Sequence, residues 1–419
     1  MMTTHYSPAP TPATTADEAV TNPRTGRSAT ALQGILMLVG CCLPLLGSVL
    51  LAPILPAMAA HFRDVPGVAV IVPLVLSTPA LFIAIGAPFA GAIVDRIGRR
   101  RLLIGSLIVY GIFGTAPLFL GSLWAILASR VGVGIAEAGV MTCATAMLAD
   151  YFTGARRNRY MSLQTVVMAL AATAFFVIGG ALGSGGWRTP FWLYASSIVL
   201  AVLVGLFAWQ PAGRTAAGAD KKRLPDLPWK ALSLQVVVAF LCGVAFYAII
   251  VELPFVLDDL GVKAPAIIGL ATAAASVATA LGAICFRFIA RFGVSRLVPL
   301  AFGLSGVGLI TMLFAHDVAA AIVGATIASA GSGLMFPTLL IWTLSRLDFD
   351  QRGRATGWWT GAVWLGQFAS PLVVAAITAA IGGLQPAIGV LGVFVALVAI
   401  ALAVILRHED RHALVHSPA

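Results

Sequence analysis

The sequence predicts an all-α membrane protein, with twelve transmembrane helices arranged as two pseudo-symmetric six-helix bundles. Three observations support this fold class. The 419 residues are 60% hydrophobic and only 10% charged, whereas a soluble domain carries about 25% charged residues. The apolar residues fall into twelve long runs, and the polar turns between them repeat at a spacing of 195 residues. The bilayer must therefore be the solvent for most of the chain.

The twelve runs have the length of membrane-spanning helices. Such a helix needs about 20 mostly apolar residues, whereas a barrel strand is about ten residues of alternating polarity. The runs do not alternate, so helices are predicted. In chain order, the runs cover residues 31–58, 66–93, 102–121, 123–149, 160–184, 190–209, 231–257, 264–290, 297–315, 318–344, 355–381 and 386–406.

The polar segments divide the chain into two halves. Residues 1–30 are rich in threonine, alanine and proline and predict a disordered cytoplasmic tail. The one long polar stretch in the interior, 210–230, predicts a cytoplasmic linker between bundles at 31–209 and 231–406. Residues 407–419 predict a second cytoplasmic tail.

The basic residues predict the orientation. With the amino terminus in the cytoplasm, 22 of the 26 lysines and arginines fall in cytoplasmic segments, as the positive-inside rule requires. We therefore expect a multi-pass protein of the plasma (inner) membrane with both termini in the cytoplasm. Anionic lipid headgroups attract such loops, so the net charge of +10 does not call for a nucleic-acid partner.

The two halves share a register in their polar loops. At the 195-residue offset, matching residues occur in the loop after the second run and in the loop after the fourth, which makes a chance match improbable. The halves are therefore predicted to be parallel repeats, as in many transporters. The matching pairs are Arg96 with Arg291, Gly98 with Gly293, Arg101 with Arg296, Leu102 with Leu297, Arg157 with Arg352, and Arg159 with Arg354.

The motif G-x-x-x-D-R-x-G-R-R, from Gly91 to Arg100 between the second and third runs, resembles the signature of the major facilitator superfamily. Arg130 to Gly134 and Gly185 to Phe191 resemble further motifs of that family. The resemblance covers about 31–406 and is greatest to bacterial drug and metabolite efflux members. It implies two bundles around a central cavity, alternating access and secondary transport.

Glu137 and Arg130 are the candidate proton-coupling residues. Both lie inside the fourth run, where a charge at mid-membrane costs roughly 2.5–3.5 kcal/mol. Burial disfavours the charged form of a carboxyl group, so Glu137 is a candidate for proton exchange; the alternative is a protonated structural acid. Arginine does not release its proton in proteins, so Arg130 either tunes the acid, anchors an anionic substrate, or bonds structurally to backbone carbonyls.

The candidate cavity residues are the few polar and aromatic side chains within the seventh, fifth, fourth and eleventh runs. Aromatic faces beside an acid suit a cation or an aromatic solute, although an aromatic stripe is as readily explained by packing. A mostly apolar pocket with few polar groups is typical of small-molecule sites. The candidates are Glu252, Tyr247, Phe246, Gln164, Met141, Trp364 and Gln367.

The motif between the second and third runs is predicted to be a conformational gate. The repeat places Ala290 opposite Asp95, so the acid occurs in one half only, as expected for a latch between halves. The resemblance implies that Asp95 meets the positive end of the eleventh helix, a contact worth roughly 0.3–1 kcal/mol. The gate residues are Gly91, Asp95, Arg96, Gly98, Arg99 and Arg100.

No catalytic triad and no Walker phosphate-binding sequence occurs in the chain, so we expect neither an enzyme nor direct use of ATP. No cofactor or metal is expected; the energy source is a proton gradient. The predicted function is proton-coupled export of small amphipathic or aromatic compounds by alternating access. The alternative is uniport or proton symport of an organic anion anchored by Arg130. The expected partners are a small-molecule substrate, protons and the lipid bilayer, and the protein is expected to be a monomer.

Overall fold

The computed structural model describes Thr21, Gly26 and residues 28–210, 227–345 and 347–415; the side chains of 87–96, 230–231, 349–350 and 408–415 are not described. The predicted tail 1–30 and linker 210–230 therefore lie largely outside the described residues, as do residues 416–419. We call residues 28–210 the first half and 227–415 the second half.

The described residues form α-helices that make twelve spans long and apolar enough to cross a membrane, which confirms the predicted fold class. The first span contains two helices joined by a 3₁₀ turn at Ala52–Ile54, and a 3₁₀ segment at Thr189–Ala195 begins the sixth. The helices are α1 (Ala31–Val49), α2 (Leu55–His61), α3 (Val68–Ile97), α4 (Arg99–Thr115), α5 (Leu123–Tyr151), α6 (Gly154–Gly183), α7 (Ser196–Phe207), α8 (Trp229–Asp259), α9 (Pro265–Ile289), α10 (Val294–Leu313), α11 (Val318–Leu344), α12 (Phe349–Ile381) and α13 (Leu384–Val415).

Several helices extend beyond the apolar runs. Helix α6 begins at Gly154 and α12 at Phe349, each six residues before its predicted start, and α13 continues to Val415 where a tail from 407 was predicted. Apolar residues mark only the part of a helix inside the hydrocarbon. Each further residue still gains a backbone hydrogen bond, so the helix continues into the polar interface.

The internal repeat is visible in the helix boundaries. Helices α4, α5 and α6 begin 195 residues before α10, α11 and α12 respectively. The residue preceding α4 is Gly98, with φ 87°, and the residue preceding α10 is Gly293, with φ 77°. Glycine adopts this left-handed region without the steric penalty that a Cβ atom imposes, so the same turn is built twice.

Each half has its own buried apolar cluster. The first cluster draws on α1 to α7 and the second on α8 to α13. Three residues of the second half, Tyr247, Val251 and Ala273, pack into the cluster of the first half. Because the number of spans is even, both described chain ends lie on one side of the bundle; we call this the terminal side and the opposite one the far side.

Candidate functional site

A cavity of about 340 Å³ lies between the two halves, lined by α1 and α6 of the first half and by α8, α9, α11 and α12 of the second. Of the described residues that line it, none is charged. Five aromatic side chains form much of its wall: Phe176, Phe246, Tyr247, Phe336 and Trp364. The cavity can therefore hold a small apolar or aromatic solute.

Helix α12 is held closely against α8, and this contact sets one wall of the cavity. The two backbones approach at Gly243 and Gly366, where a side chain on either glycine would collide with the other helix. One turn further along α12, Ser370 Oγ donates to the carbonyl oxygen of Val244 at 2.9 Å. This pairing presents Trp364 and Gln367 to the cavity.

Tyr247 joins the halves at the cavity wall. Its hydroxyl lies 3.2 Å from the carbonyl oxygen of Ser48 in α1 and 3.1 Å from that of Leu76 in α3, and it donates to this pair. The side chain is 1% exposed, so water does not compete for the contact. A side chain of the second half is thus tied to two helices of the first.

On the far side, α6 and α9 close the space between the halves. Gly180 faces Gly269 and the backbone of Pro265 so closely that a Cβ atom on either glycine would collide with the facing helix. Nearer the middle of the bundle, Thr173 Oγ1 and Ser276 Oγ share a hydrogen bond at 3.0 Å. The halves are therefore in contact beyond the cavity on this side.

Glu137 lies behind α1, away from the cavity. Its side chain is fully buried, and neither carboxyl oxygen has a hydrogen-bond partner among the described residues. Oε1 abuts Gly47, where any side chain would collide with it. The neighbouring residue Ser48 lines the cavity, so the backbone of α1 separates the acid from the space where a solute would sit.

Arg130 is held by backbone carbonyls and aromatic rings of the first half. Nη2 donates to the carbonyl oxygens of Phe113 at 2.8 Å and Gly114 at 3.3 Å. The guanidinium carbon lies 5.4 Å from the ring centroids of both Phe191 and Tyr194. Among the described residues no ion pair joins it to Glu137, and the side chain is 1% exposed and does not line the cavity.

Three predicted cavity residues are not on the cavity wall. Glu252 is five residues beyond Tyr247, which rotates it by about 140° around α8. Gln164 instead donates from Nε2 to Thr145 Oγ1 in α5 at 3.2 Å. Met141 is on α5, and none of the described cavity-lining residues belongs to that helix. These three residues therefore do not line this cavity, and a role for them in substrate binding stays a prediction.

The sequence reasoning missed other residues of the wall. Thr272, Ser276 and Thr279 of α9 line the cavity, as do Ser329 and Phe336 of α11. The three α9 hydroxyls are spaced four and three residues apart, which places them on one face of a helix. That spacing was the available signal. Phe336 meets Phe246 edge to face, with ring centroids 5.1 Å apart and an interplanar angle of 87°.

The motif between α3 and α4 makes described contacts within the first half. Arg99 forms an ion pair with Asp150 of α5. Arg100 Nε donates to the carbonyl oxygen of Ala208 at 2.7 Å, and its Nη2 to that of Gly205 at 2.5 Å. The contacts of Arg99 and Arg100 bind the turn between α3 and α4, on the terminal side, to the first half.

The remaining gate residues lie on the last two turns of α3, a helix that packs against α12. Gly91, Asp95 and Arg96 fall in the segment whose side chains are outside the described set. The latch between Asp95 and the start of α12 stays a prediction.

Comparison with known proteins identifies the family. The model of the Major Facilitator Superfamily matches residues 36–284 and 236–419. The tetracycline resistance protein, class C, of Escherichia coli is 26% identical over 83% of this chain and 89% of its own length. The gentisate transporter of Corynebacterium glutamicum is 24% identical over 81% and 80%. A crystal structure of the POT family transporter PepTSo superposes with a TM-score of 0.74 at 13% identity, covering 92% of this chain and 99% of that one. The chain therefore belongs to the Major Facilitator Superfamily and is a multi-pass membrane transporter, not an enzyme.

Proposed function

We propose that this transporter exports small amphipathic or aromatic compounds in exchange for protons, by alternating access of the cavity between its halves. The observation that carries the proposal is the aromatic wall of the cavity, which has no charged residue among those described. A buried acid, Glu137, lies directly behind α1. A relative is named for tetracycline resistance, which is consistent with export of an aromatic compound.

Glu137 is the proposed proton site, and its placement suggests how a proton would act on the cavity. A negative charge on a buried carboxylate without hydrogen-bond donors is costly. Loss or gain of the proton would therefore change how favourably Glu137 packs against its neighbours. It touches Gly47 of α1, and α1 contributes Ser48 to the cavity and accepts the hydrogen bond of Tyr247. Proton and solute would thus communicate through α1 rather than compete for the same space.

The geometry argues against an organic anion anchored by Arg130. Anchoring an organic anion would require the Arg130 guanidinium to reach the cavity. Instead it bonds to carbonyls of α4, stacks on two rings and is 1% exposed. Arg130 is proposed to hold α4 and α5 together and to influence Glu137 from a distance.

The proposed oligomeric state, membrane location and energy source are those that the sequence predicts. The protein works as a monomer in the plasma (inner) membrane, with both termini in the cytoplasm where most basic residues lie. A proton gradient supplies the energy, and neither a cofactor nor a metal takes part.

Everted membrane vesicles test the coupling. A respiration-generated pH gradient is followed with a pH-sensitive dye while naphthamide, a neutral aromatic compound, and gentisate, an organic anion, are added separately. We expect naphthamide to dissipate part of the gradient, gentisate to leave it unchanged, and Glu137→Gln to abolish the effect of naphthamide. Glu252→Gln, which removes a buried carboxyl group that does not line the cavity, is the matched control and should behave as the parent does. Dissipation by the Glu137→Gln protein to the same extent as by the parent would refute the assignment of the proton site.

A further inference from the structure

We propose that the cavity selects uncharged, flat aromatic compounds that carry an amide-like edge, and that Gln367 is the residue that recognises this edge. The inference deepens the proposed function and rests on it only in taking the cavity as the substrate site. Few polar groups of the cavity wall lack a hydrogen-bond partner within the described part of the chain, and Gln367 is one of them.

Most polar side chains of the wall are already satisfied within the protein. The Tyr247 hydroxyl donates to two carbonyl oxygens of the first half, as described above. The serine and threonine hydroxyls of α1 and α9 bond to the backbone of their own helices or across the halves. The distances are 2.8 Å for Ser48 to the Pro44 carbonyl, 2.9 Å for Thr272 to that of Ile268, 3.0 Å for Ser276 to Thr173, and 3.3 Å for Thr279 to the Ala275 carbonyl.

Gln367 is one of the exceptions. Its side chain is only 6% exposed and lines the cavity, yet no described residue makes a hydrogen bond with its amide. Ser329, 4% exposed on α11, is likewise without a described side-chain hydrogen bond. A carboxamide offers two N–H donors and a carbonyl acceptor. A buried polar group without a partner is costly, so a solute that supplies both a donor and an acceptor removes that cost.

Backbone packing fixes the position from which the Gln367 side chain enters the cavity. Gln367 follows Gly366, the residue at which α12 meets α8, and precedes Ser370, whose hydroxyl is bonded to Val244. Trp364 lies three residues earlier, on the same face of α12. The amide and an aromatic ring therefore line the cavity side by side, on a helix that is fixed against α8.

The rest of the wall selects against charge. Phe246 and Phe336 form an edge-to-face pair, and the described lining residues carry no charge to pair with an ion. A carboxylate or ammonium group would lose its hydration without compensation. A volume of about 340 Å³ accommodates a fused-ring compound with a short polar substituent. The preferred solute is therefore neutral and aromatic, with a donor and an acceptor on one edge.

Binding of four naphthalene derivatives tests the inference. The full-length protein in lipid nanodiscs is titrated calorimetrically with naphthamide, naphthoate, naphthylmethylammonium and methylnaphthalene, and the signal of empty nanodiscs is subtracted. The four share one ring system and differ in charge and in hydrogen bonding. We expect naphthamide to bind most tightly. Its advantage over methylnaphthalene should be about threefold to 18-fold, the range that corresponds to hydrogen bonds measured in a membrane protein.

Substitution of the glutamine identifies the contact. Gln367→Leu keeps the volume and should remove the advantage of naphthamide while methylnaphthalene binds as before. Gln367→Glu should shift the preference to naphthylmethylammonium. Gln385→Leu is the matched control, because Gln385 Nε2 donates to the Ala315 carbonyl oxygen at 2.9 Å and neither residue lines the cavity, and it should leave all four affinities unchanged.

Three outcomes would overturn the inference: naphthoate binding as tightly as naphthamide, an undiminished naphthamide advantage in Gln367→Leu, or no binding of any of the four. The proposed function fails separately. If naphthamide binds as expected but vesicles neither move it nor lose their pH gradient, export is wrong while the recognition by Gln367 stands.

Discussion

Replacing Tyr247 by phenylalanine should weaken the contact between the two halves on the far side of the bundle. The aromatic ring and its packing are retained, and only the hydroxyl is lost. That hydroxyl donates to carbonyl oxygens of α1 and α3, at 3.2 Å and 3.1 Å. Both acceptors belong to the first half, so the bond exists only while the halves are together.

The size of the effect follows from the strength of one such bond. Hydrogen bonds between membrane helices contribute on average about 0.6 kcal/mol and at most about 1.7 kcal/mol. Removing the bond should therefore raise the ratio of far-side-open to far-side-closed molecules by about threefold to 18-fold.

Spin-label distances measure this ratio. Ser184 and Ala264, both exposed at the far ends of α6 and α9, are replaced by cysteine in a background without the five native cysteines. Opening on the far side separates α6 from α9 and lengthens the distance between the labels. The Tyr247→Phe protein should show a larger population at the longer distance.

Tyr151→Phe is the matched control. The Tyr151 hydroxyl donates to the Trp209 carbonyl oxygen at 2.6 Å, and both residues belong to the first half. Its loss should lower stability without changing the distance distribution. An unchanged distribution in Tyr247→Phe, or an equal shift in both variants, would refute the assignment of Tyr247 as a tie between halves.

Two further substitutions test the packing. Gly269→Val should force α6 away from α9 and enrich the same long-distance population, because a side chain there collides with the facing backbone. Gly303→Val is the control, since its side chain meets open space and should change nothing. Equal distance distributions in the two variants would contradict the proposed close packing. Arg100→Ala should lower the thermal unfolding temperature in nanodiscs, since hydrogen bonds to charged groups contribute about 1.5–3 kcal/mol each. Arg101→Ala, at an exposed position, should leave that temperature unchanged. Equal unfolding temperatures of the two variants would show that the bonds of Arg100 to α7 do not stabilise the turn.

The positions of the spans and the repeat were predictable because they depend on the bilayer. Twenty apolar residues are needed wherever a helix crosses, so the runs reveal themselves locally. The turn glycines Gly98 and Gly293 matched at the 195-residue offset, and the structure gives both a positive φ. The helix ends were less predictable, because α6 and α12 continue into the interface, where hydropathy no longer marks a helix.

The site was predictable only in part. Phe246, Tyr247, Trp364 and Gln367 were proposed as cavity residues and lie on its wall, because polar and aromatic side chains stand out in an aliphatic helix. Glu137 stood out for the same reason but lies behind α1. A polar or aromatic residue that is rare within a membrane helix indicates a functional or structural role. Its presence in the sequence does not indicate which neighbour its side chain faces.

The sequence by itself determined that this chain crosses the membrane twelve times, that its halves repeat, and which few side chains are polar within the spans. Only the tertiary structure decided how each helix is rotated about its axis. In a soluble helix one face is apolar and the other polar, so the sequence shows which face is buried. In a bilayer the lipid-facing and protein-facing sides are both apolar, and this signal disappears. The packing of α8 against α12 and of α1 against Glu137 therefore decided that Gln367 faces the cavity and Glu137 does not.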